Sequence, residues 1–126
     1  MSNVVFFDHI EVHVNNILEY CEFLKKIFQG GRYKIISSTG TSMFKTDDGI
    51  NFEVKKKKIG DDPIFSGFCK PCLRMANAKE YIESVLKLHI YETVANHDGN
   101  CYFFVDHENI AWHIKDYLIQ DKFTNW

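Results

Sequence analysis

The sequence predicts an α+β protein built from two similar β-α-β-β-β units, because two short sequence patterns recur about sixty residues later. The helix opening at Asn16–Tyr20 returns sixty-one positions later as Asn77–Tyr81. The strand-like pattern at Gly49–Lys55 recurs sixty positions later at Asn109–Lys115. In both copies, runs of alternating hydrophobicity surround one run with helical spacing. A unit that folds twice usually places one functional cleft between or across its copies.

The first copy opens with an alternating run and a capped helix. Val5 to Val14 alternates apolar and polar positions, which is typical of a strand. Asn16 is a good N-cap, and Glu19 at the third helical position completes a capping-box-like pair. Helical spacing then continues to Gly30-Gly31, where glycine allows the helix to end. The three following strands are predicted at Arg32–Ser38, Ser42–Lys45 and, after a tight turn at Asp48-Gly49, Ile50–Lys55.

The second copy repeats this order after a linker at about 60–68. Asn77 is predicted to cap its helix, which runs to about Leu88. Strands are predicted at Cys72–Met75, Tyr91–Ala95, Cys101–Val105 and Ile110–Lys115. The predicted organisation is therefore one domain over 1–126, with repeat one at about 4–59 and repeat two at about 69–116. A tail at 117–126 offers apolar surface to a partner subunit through Phe123 and Trp126.

Composition limits the classes of function. The chain has 126 residues, 45% of them hydrophobic, and a formal net charge of -2, which gives no support to a nucleic-acid or membrane-surface role. We expect the basic run Lys55–Lys58 to be a solvated strand end. No signal-like or membrane-length apolar segment is present in the sequence, so we expect a cytoplasmic protein whose four cysteines are reduced.

Four stretches resemble the vicinal-oxygen-chelate superfamily, which includes glyoxalase I, extradiol dioxygenases, fosfomycin-resistance enzymes and bleomycin-resistance binding proteins. They are Phe7–Val14, Glu19–Leu24, Gly49–Val54 and Phe103–Asn109, the last with His107 where the family's turn usually has proline. The resemblance covers nearly the whole chain. It implies a curved mixed sheet with a concave cleft, and helices packed on the outer face.

The resemblance also implies where a metal would bind. The family takes ligands from the first and last strands of each copy, which here correspond to His9, Glu53, Lys70 and His113. A shift of one residue would place Cys69 at the third position. Protonated lysine offers only donors, so His9, Glu53 and His113 remain as predicted ligands for Zn, Ni, Mn or Fe. In homodimeric members the positions converge only across two chains, so we expect a homodimer.

The first functional hypothesis is a metal-dependent enzyme of this type, a lyase, isomerase, transferase or dioxygenase acting on an oxygen-rich small molecule. Glu53 or Glu11 would move a proton, which requires a poorly solvated carboxylate. The predicted substrate contacts are His13, Lys70, Arg74, Trp112 and Lys115. The alternative is a metal-free protein that sequesters its ligand in the same cleft without a cofactor.

The cysteines give another alternative, a thiol-redox protein that uses the Cys69-Lys70-Pro71-Cys72 motif. The predicted helix cap at Asn77 lies several residues later, so neither thiol would stand at a helix N-terminus. A zinc site of Cys69, Cys72, His97 and Cys101 is also conceivable, although its spacing matches no standard finger. The remaining histidines, His89 and His107, are interpreted as surface residues. His97 is interpreted in the same way if it does not bind zinc.

Overall fold

The computed structural model of the protein describes residues 7–58, 71–95 and 99–116. The chain divides into two compact units, 1–64 and 65–126. Each unit contains one mixed four-stranded sheet, and each follows the predicted β-α-β-β-β order, which confirms the two-repeat α+β fold class. Within the described ranges, no helix has both the length and the apolar character needed to cross a membrane.

The first unit contains one helix and four strands. They are β1 (Ile10–Val14), α1 (Ile17–Ile27), β2 (Arg32–Ile35), β3 (Ser42–Lys45) and β4 (Asn51–Lys56). The strand order in the sheet is β1-β4-β3-β2. β1 and β4 are parallel, because α1 connects β1 to the rest of the unit, and the other neighbours are antiparallel.

Helix α1 begins and ends as its sequence predicts. The side-chain oxygen of Asn16 accepts a hydrogen bond from the backbone N–H of Glu19 at 3.0 Å. At the other end, the N–H of Phe28 donates to the carbonyl of Leu24 at 2.8 Å, and Gly30 follows with φ +85. The helix packs on β3 and β4. Its buried side chains are Tyr20, Cys21, Phe23, Leu24 and Ile27. Burial of each large apolar side chain contributes about 1.5–3 kcal/mol.

The second unit repeats the plan with a shorter helix. Its elements are β5 (Cys72–Met75), α2 (an α-helical turn at Ala78–Glu80 that continues as a π-helix at Tyr81–Val85), β6 (Ile90–Val94), β7 (Cys101–Val105) and β8 (Ala111–Asp116). The strand order is β5-β8-β7-β6, which corresponds to that of the first unit. β5 and β8 are parallel, as β1 and β4 are.

The predicted cap of the second helix is wrong. Asn77 has a left-handed backbone (φ 53, ψ 43), and its side chain makes no capping hydrogen bond. Its backbone N–H instead donates to Oδ1 of Asp116 at 2.8 Å. The helical residues end at Val85, before the predicted Leu88, and their second half is a π-helix rather than an α-helix.

The same turn precedes the last strand of each unit. The N–H of Thr46 donates to the carbonyl of Ile50 at 2.9 Å, and the N–H of Asp106 donates to the carbonyl of Ile110, also at 2.9 Å. The positions are sixty residues apart, so this turn confirms the duplication at the level of individual backbone hydrogen bonds. Asn109 adopts φ +64 where the first copy has a glycine.

The side chain at the start of this turn differs between the copies. Thr46 Oγ1 accepts a hydrogen bond from the N–H of Ile50 at 2.9 Å. Asp106 is only 4% exposed, and its Oδ1 accepts hydrogen bonds from the N–H groups of Glu108 and Ile110 at 2.8 and 3.0 Å. Its Oδ2 accepts a third hydrogen bond, from Nε1 of Trp112, at 2.8 Å. In repeat two, one carboxylate therefore holds both the turn and the adjacent core residue.

Candidate functional site

One face of the first sheet is apolar and lies under α1, and the opposite face is polar. Phe52 and Val54 of β4 are buried, whereas the intervening Glu53 and its neighbour Lys55 belong to the opposite face. The strand register places further polar-face residues alongside them: Glu11 on β1, Met43 and Lys45 on β3, and Arg32 and Lys34 on β2. This face is where the sequence predicts functional side chains.

Three of the predicted residues meet at one end of this face. One ligand atom from each of His9, Glu11 and Glu53 lies within 4.8 Å of the others. Nε2 of His9 is 4.0 Å from Oε2 of Glu53, which is too long for a hydrogen bond. Both side chains are partly shielded, at 28% and 16% exposed. Glu11 and Glu53 are direct neighbours in the β1–β4 register.

The orientation of His9 suits a metal ligand. Its Nδ1 lies 2.6 Å from Oδ2 of Asp8, and this hydrogen bond turns Nε2 toward Glu53. Metal-ligating histidines commonly bond a carboxylate through the other ring nitrogen. An imidazole nitrogen and a carboxylate oxygen on one ion lie roughly 3 to 3.5 Å apart, so His9 and Glu53 need to approach by less than about 1 Å. The donor set therefore fits a divalent ion.

Hydrogen bonds shift the pKa values of His9 and Glu11. The bond to Asp8 raises the pKa of His9, with smaller contributions from Glu53 and Glu11. The bond from His13, at 2.7 Å, lowers the pKa of Glu11. A carboxylate with a lowered pKa stays ionised near neutral pH, which suits a cation ligand better than a proton acceptor.

Lys55 lies across both carboxylates. Its Nζ is 3.1 Å from Oε1 of Glu53 and 3.3 Å from Oε1 of Glu11. The same two contacts raise the pKa of Lys55, with the contribution of Glu53 the larger. The ammonium group therefore occupies the position of a counter-ion between the two acidic side chains.

A pocket of about 280 Å³ continues along the same sheet in the first unit. It is lined by Arg32, Tyr33, Lys34, Met43, Lys45 and Asn51. Three of the six are cationic, and Met43 is the direct β3 neighbour of Glu53. Asn51 also donates to the backbone carbonyl of Asp8 at 3.2 Å, which connects the pocket to the residue that orients His9. Sequence reasoning missed this pocket, although alternation on β2 already places Arg32 and Lys34 on one face.

The second sheet carries different chemistry on the corresponding face. One ligand atom from each of Cys72, Cys101 and His113 lies within 4.8 Å of the others. Cys72 is opposite His113 in the β5–β8 register, as Glu11 is opposite Glu53 in the first unit.

The thiols of this group are not activated. Burial raises the pKa of Cys72 and of Cys101 above the usual thiol value. Reactive cysteines have lowered pKa values, so this direction weighs against a thiol-redox role for Cys72. Cys72 also belongs to a strand and not to a helix N-terminus. Cys69 and His97, the other residues of the thiol and zinc alternatives, lie outside the described residues.

The remaining predicted substrate contacts fall in different places. His13 is bonded to Glu11 beside the His9 group. Arg74 and Lys115 are register partners on β5 and β8, in the second unit. Trp112 is 1% exposed and belongs to the core, on the opposite side of β8 from His113, so its position does not support contact with a substrate. Lys70 lies outside the described residues.

Comparison with known proteins identifies the fold. The chain matches no protein-family model and no curated protein sequence. Among solved structures, FosX from Listeria monocytogenes, a fosfomycin resistance protein crystallised with Mn(II) and 1S,2S-dihydroxypropylphosphonic acid, is similar with a TM-score of 0.69 and 16% identity over 98% of both chains. A glyoxylase/bleomycin resistance protein/dioxygenase domain from Frankia has a TM-score of 0.64 and 14% identity, over 90% of this chain and 98% of that chain. FosX from Mesorhizobium loti has a TM-score of 0.63 and 16% identity, over 93% of this chain and 96% of that chain.

Proposed function

We propose that this chain, whose fold is that of the vicinal-oxygen-chelate proteins, binds an anionic, oxygen-rich small molecule beside a divalent metal ion. The observation that carries the proposal is the first sheet's polar face. It places His9, Glu11 and Glu53 next to a pocket lined by three cationic side chains. Mn(II) and a phosphonate in the similar FosX structure support the same combination.

In this proposal His9 and Glu53 hold the ion, and Glu11 supplies further negative charge. His113 stays a predicted ligand, contributed by repeat two. A divalent ion at this position would polarise a substrate oxygen as a Lewis acid. Asp8 fixes the ring of His9, and His13 keeps Glu11 ionised. Glu53 is the better candidate for proton transfer, since the lowered pKa of Glu11 weakens that carboxylate as a base.

The pocket would select the substrate by charge. Arg32 offers a planar fork that matches phosphonate or carboxylate oxygens, and Lys34 and Lys45 add point charges. The proposed reaction is of the lyase, isomerase, transferase or dioxygenase kind found on this fold. The proposed assembly is a homodimer, as the family resemblance implies.

The test is a titration of the metal-stripped protein with Mn²⁺, Ni²⁺, Zn²⁺ and Fe²⁺ by calorimetry. We expect one of these ions to bind at the His9 group, and His9→Ala to abolish that binding. His89→Ala is the matched control, because His89 is an exposed histidine of the second unit that the proposal does not use. Wild-type protein that takes up none of the four ions, or unchanged uptake by His9→Ala, would reject the metal assignment.

The second candidate is a metal-free binder, and Lys55 is the specific observation in its favour. Its ammonium group already neutralises Glu11 and Glu53. Under this reading an anionic ligand binds in the cationic pocket without any metal. Titration of a phosphonate into chelator-treated protein separates the candidates, since only the metal-free binder retains its full affinity for the phosphonate.

A further inference from the structure

We propose that the second unit carries its own binding site for a thiophilic divalent cation, formed by Cys72, Cys101 and His113. In this site His113 binds the second unit's own ion, which replaces the role predicted for His113 beside His9 and Glu53. Zinc is the ion that the three side chains suit best, because a Cys-Cys-His set in tetrahedral geometry leaves a fourth position for water or a ligand.

The three ligand atoms converge because of the strand order. β5 and β7 lie on either side of β8, and Cys72 and His113 are direct neighbours across β5 and β8. His113 pairs with Phe103 across β8 and β7. Cys101 lies two positions before Phe103, and alternation places both on the face that carries His113. All three ligand atoms therefore fall within 4.8 Å of one another.

The ring of His113 is already held in place. It stacks on Phe103 with 4.8 Å between ring centroids and only 5° between ring planes. An imidazole fixed in this way loses less freedom when it binds an ion, and preorganisation of this kind strengthens binding.

The geometry favours a shared ion over a disulfide. β5 and β7 are separated by one intervening strand, so their backbones lie about 9 to 10 Å apart. A disulfide needs Cα atoms about 4.4–6.8 Å apart, so Cys72 and Cys101 cannot form one without backbone movement. Two thiolates on a tetrahedral zinc, each at about 2.3 Å from the ion, lie roughly 3.8 Å apart. The ligand atoms of Cys72 and Cys101 already lie within 4.8 Å of each other.

Charge and burial agree with this assignment. Two thiolates balance the charge of a divalent ion, which suits the poorly solvated position of Cys101, 4% exposed. Lys115 and Arg74 lie on the same face, and their charges favour the thiolate form of Cys72. Cys72 is exposed, which gives the ion a path from solvent. The first unit has carboxylates where the second has sulfur and nitrogen, so the copies should select different ions: hard cations in the first and soft ones in the second.

The test uses the full chain, reduced and stripped of metal, with Co²⁺ as a spectroscopic substitute for zinc. We expect a thiolate-to-cobalt charge-transfer band in the near ultraviolet that Zn²⁺ abolishes and excess Mn²⁺ leaves intact. Cys72→Ser should lose the band at the cobalt concentration that saturates the wild-type protein, and so should Cys101→Ser. Because Cys72 is exposed, its variant should fold even if the variant of the buried Cys101 does not. His113→Ala should bind zinc more weakly in competition with a chromophoric chelator.

Two controls isolate the site. Cys21→Ala removes a cysteine of the first unit, and His9→Ala removes the predicted ligand of the other metal site; both should keep the band. A wild-type protein without the band, or a folded Cys72→Ser protein with the full band, would overturn the proposal. Loss of the band in His9→Ala would also overturn it, because the two groups would then form a single site. Failure of His9→Ala to change Mn²⁺ binding would affect only the proposed function.

Discussion

Nζ of Lys55 lies 3.1 Å from Oε1 of Glu53, the carboxylate that we propose as a metal ligand. The same ammonium group is 3.3 Å from Glu11. A divalent ion that binds both carboxylates must displace this internal cation, because two positive charges cannot share so small a space without repulsion. Lys55 therefore competes with a divalent ion for the two carboxylates and should lower the affinity for the metal.

Replacement of this lysine should strengthen metal binding. We expect Lys55→Met to bind Mn²⁺ about tenfold more tightly than the wild type, which corresponds to about 1.4 kcal/mol. Calorimetry on metal-stripped protein measures the difference. Lys25→Met is the control, since Lys25 lies 3.9 Å from Glu22 on α1, away from the site. Equal or weaker affinity in Lys55→Met would show that the lysine supports the site instead of competing for it.

The cationic pocket should determine the affinity for anions. We expect Arg32→Gln combined with Lys34→Gln to weaken phosphonate binding about tenfold or more, since charge-assisted hydrogen bonds contribute roughly 1.5–3 kcal/mol each. The control is Lys25→Gln combined with Lys26→Gln, which removes the same charge from helix α1. Similar affinities in the two double variants would show that general charge, and not this pocket, attracts the ligand.

Stability at alkaline pH should depend on Cys21. Burial raises the pKa of this thiol from 9.0 to about 11, so the folded state holds its proton more tightly than the unfolded state does. The contribution of Cys21 to stability is complete below pH 9 and disappears as the pH rises toward 11. It amounts to about 2–3 kcal/mol, at about 1.4 kcal/mol per pH unit. Urea denaturation between pH 8 and 11 should therefore show a steeper loss of stability for the wild type than for Cys21→Ala; parallel curves would contradict this prediction.

The carboxylate of Asp106 should be important for the stability of the second unit. Asp106→Ala removes the acceptor for Nε1 of Trp112 and for two backbone N–H groups. We expect a loss of about 3 kcal/mol in the free energy of unfolding, because buried donors left unpaired each cost about 1–3 kcal/mol. Asp106→Asn retains one acceptor oxygen and should lose less.

Thr46→Ala is the matched comparison in the first unit. The hydroxyl of Thr46 accepts one backbone hydrogen bond at the same turn and donates one to Oδ1 of Asp48. Because its removal leaves only one backbone N–H without this acceptor, we expect a smaller loss, of about 1–2 kcal/mol. Chemical denaturation followed by circular dichroism measures all three variants. Equal losses for Asp106→Ala and Thr46→Ala would mean that the bond to Trp112 contributes little.

The sequence predicted local structure well where local interactions determine it. Asn16 caps α1 through a bond to Glu19 only three residues away, so its pattern is complete in the sequence. Asn77 is followed by a glutamate at the same spacing, but its N–H bonds Asp116, thirty-nine residues later. A contact at that distance along the chain leaves no local pattern, and it explains why the predicted cap failed.

The same distinction between local and distant contacts applies to the candidate sites. His9 and Glu53 could be identified because the family resemblance places a ligand on each of those strands. The sequence predicted Cys72 in a thiol pair with Cys69, or in a zinc site with Cys69, His97 and Cys101, whereas the structure groups Cys72 and Cys101 with His113. That grouping depends on β8 lying between β5 and β7, an order that the spacing of cysteines does not reveal. The signal that could have found it is the strand pairing of the first repeat applied to the second.

The turn shared by Thr46 and Asp106 keeps one backbone path while its first side chain changes from a hydroxyl to a carboxylate. In such a duplicated scaffold, the main chain preserves the architecture and leaves each half free to exchange its chemistry. Substitutions can then accumulate in one half without a matching change in the other. The two repeats of a single polypeptide would in this way acquire different functions.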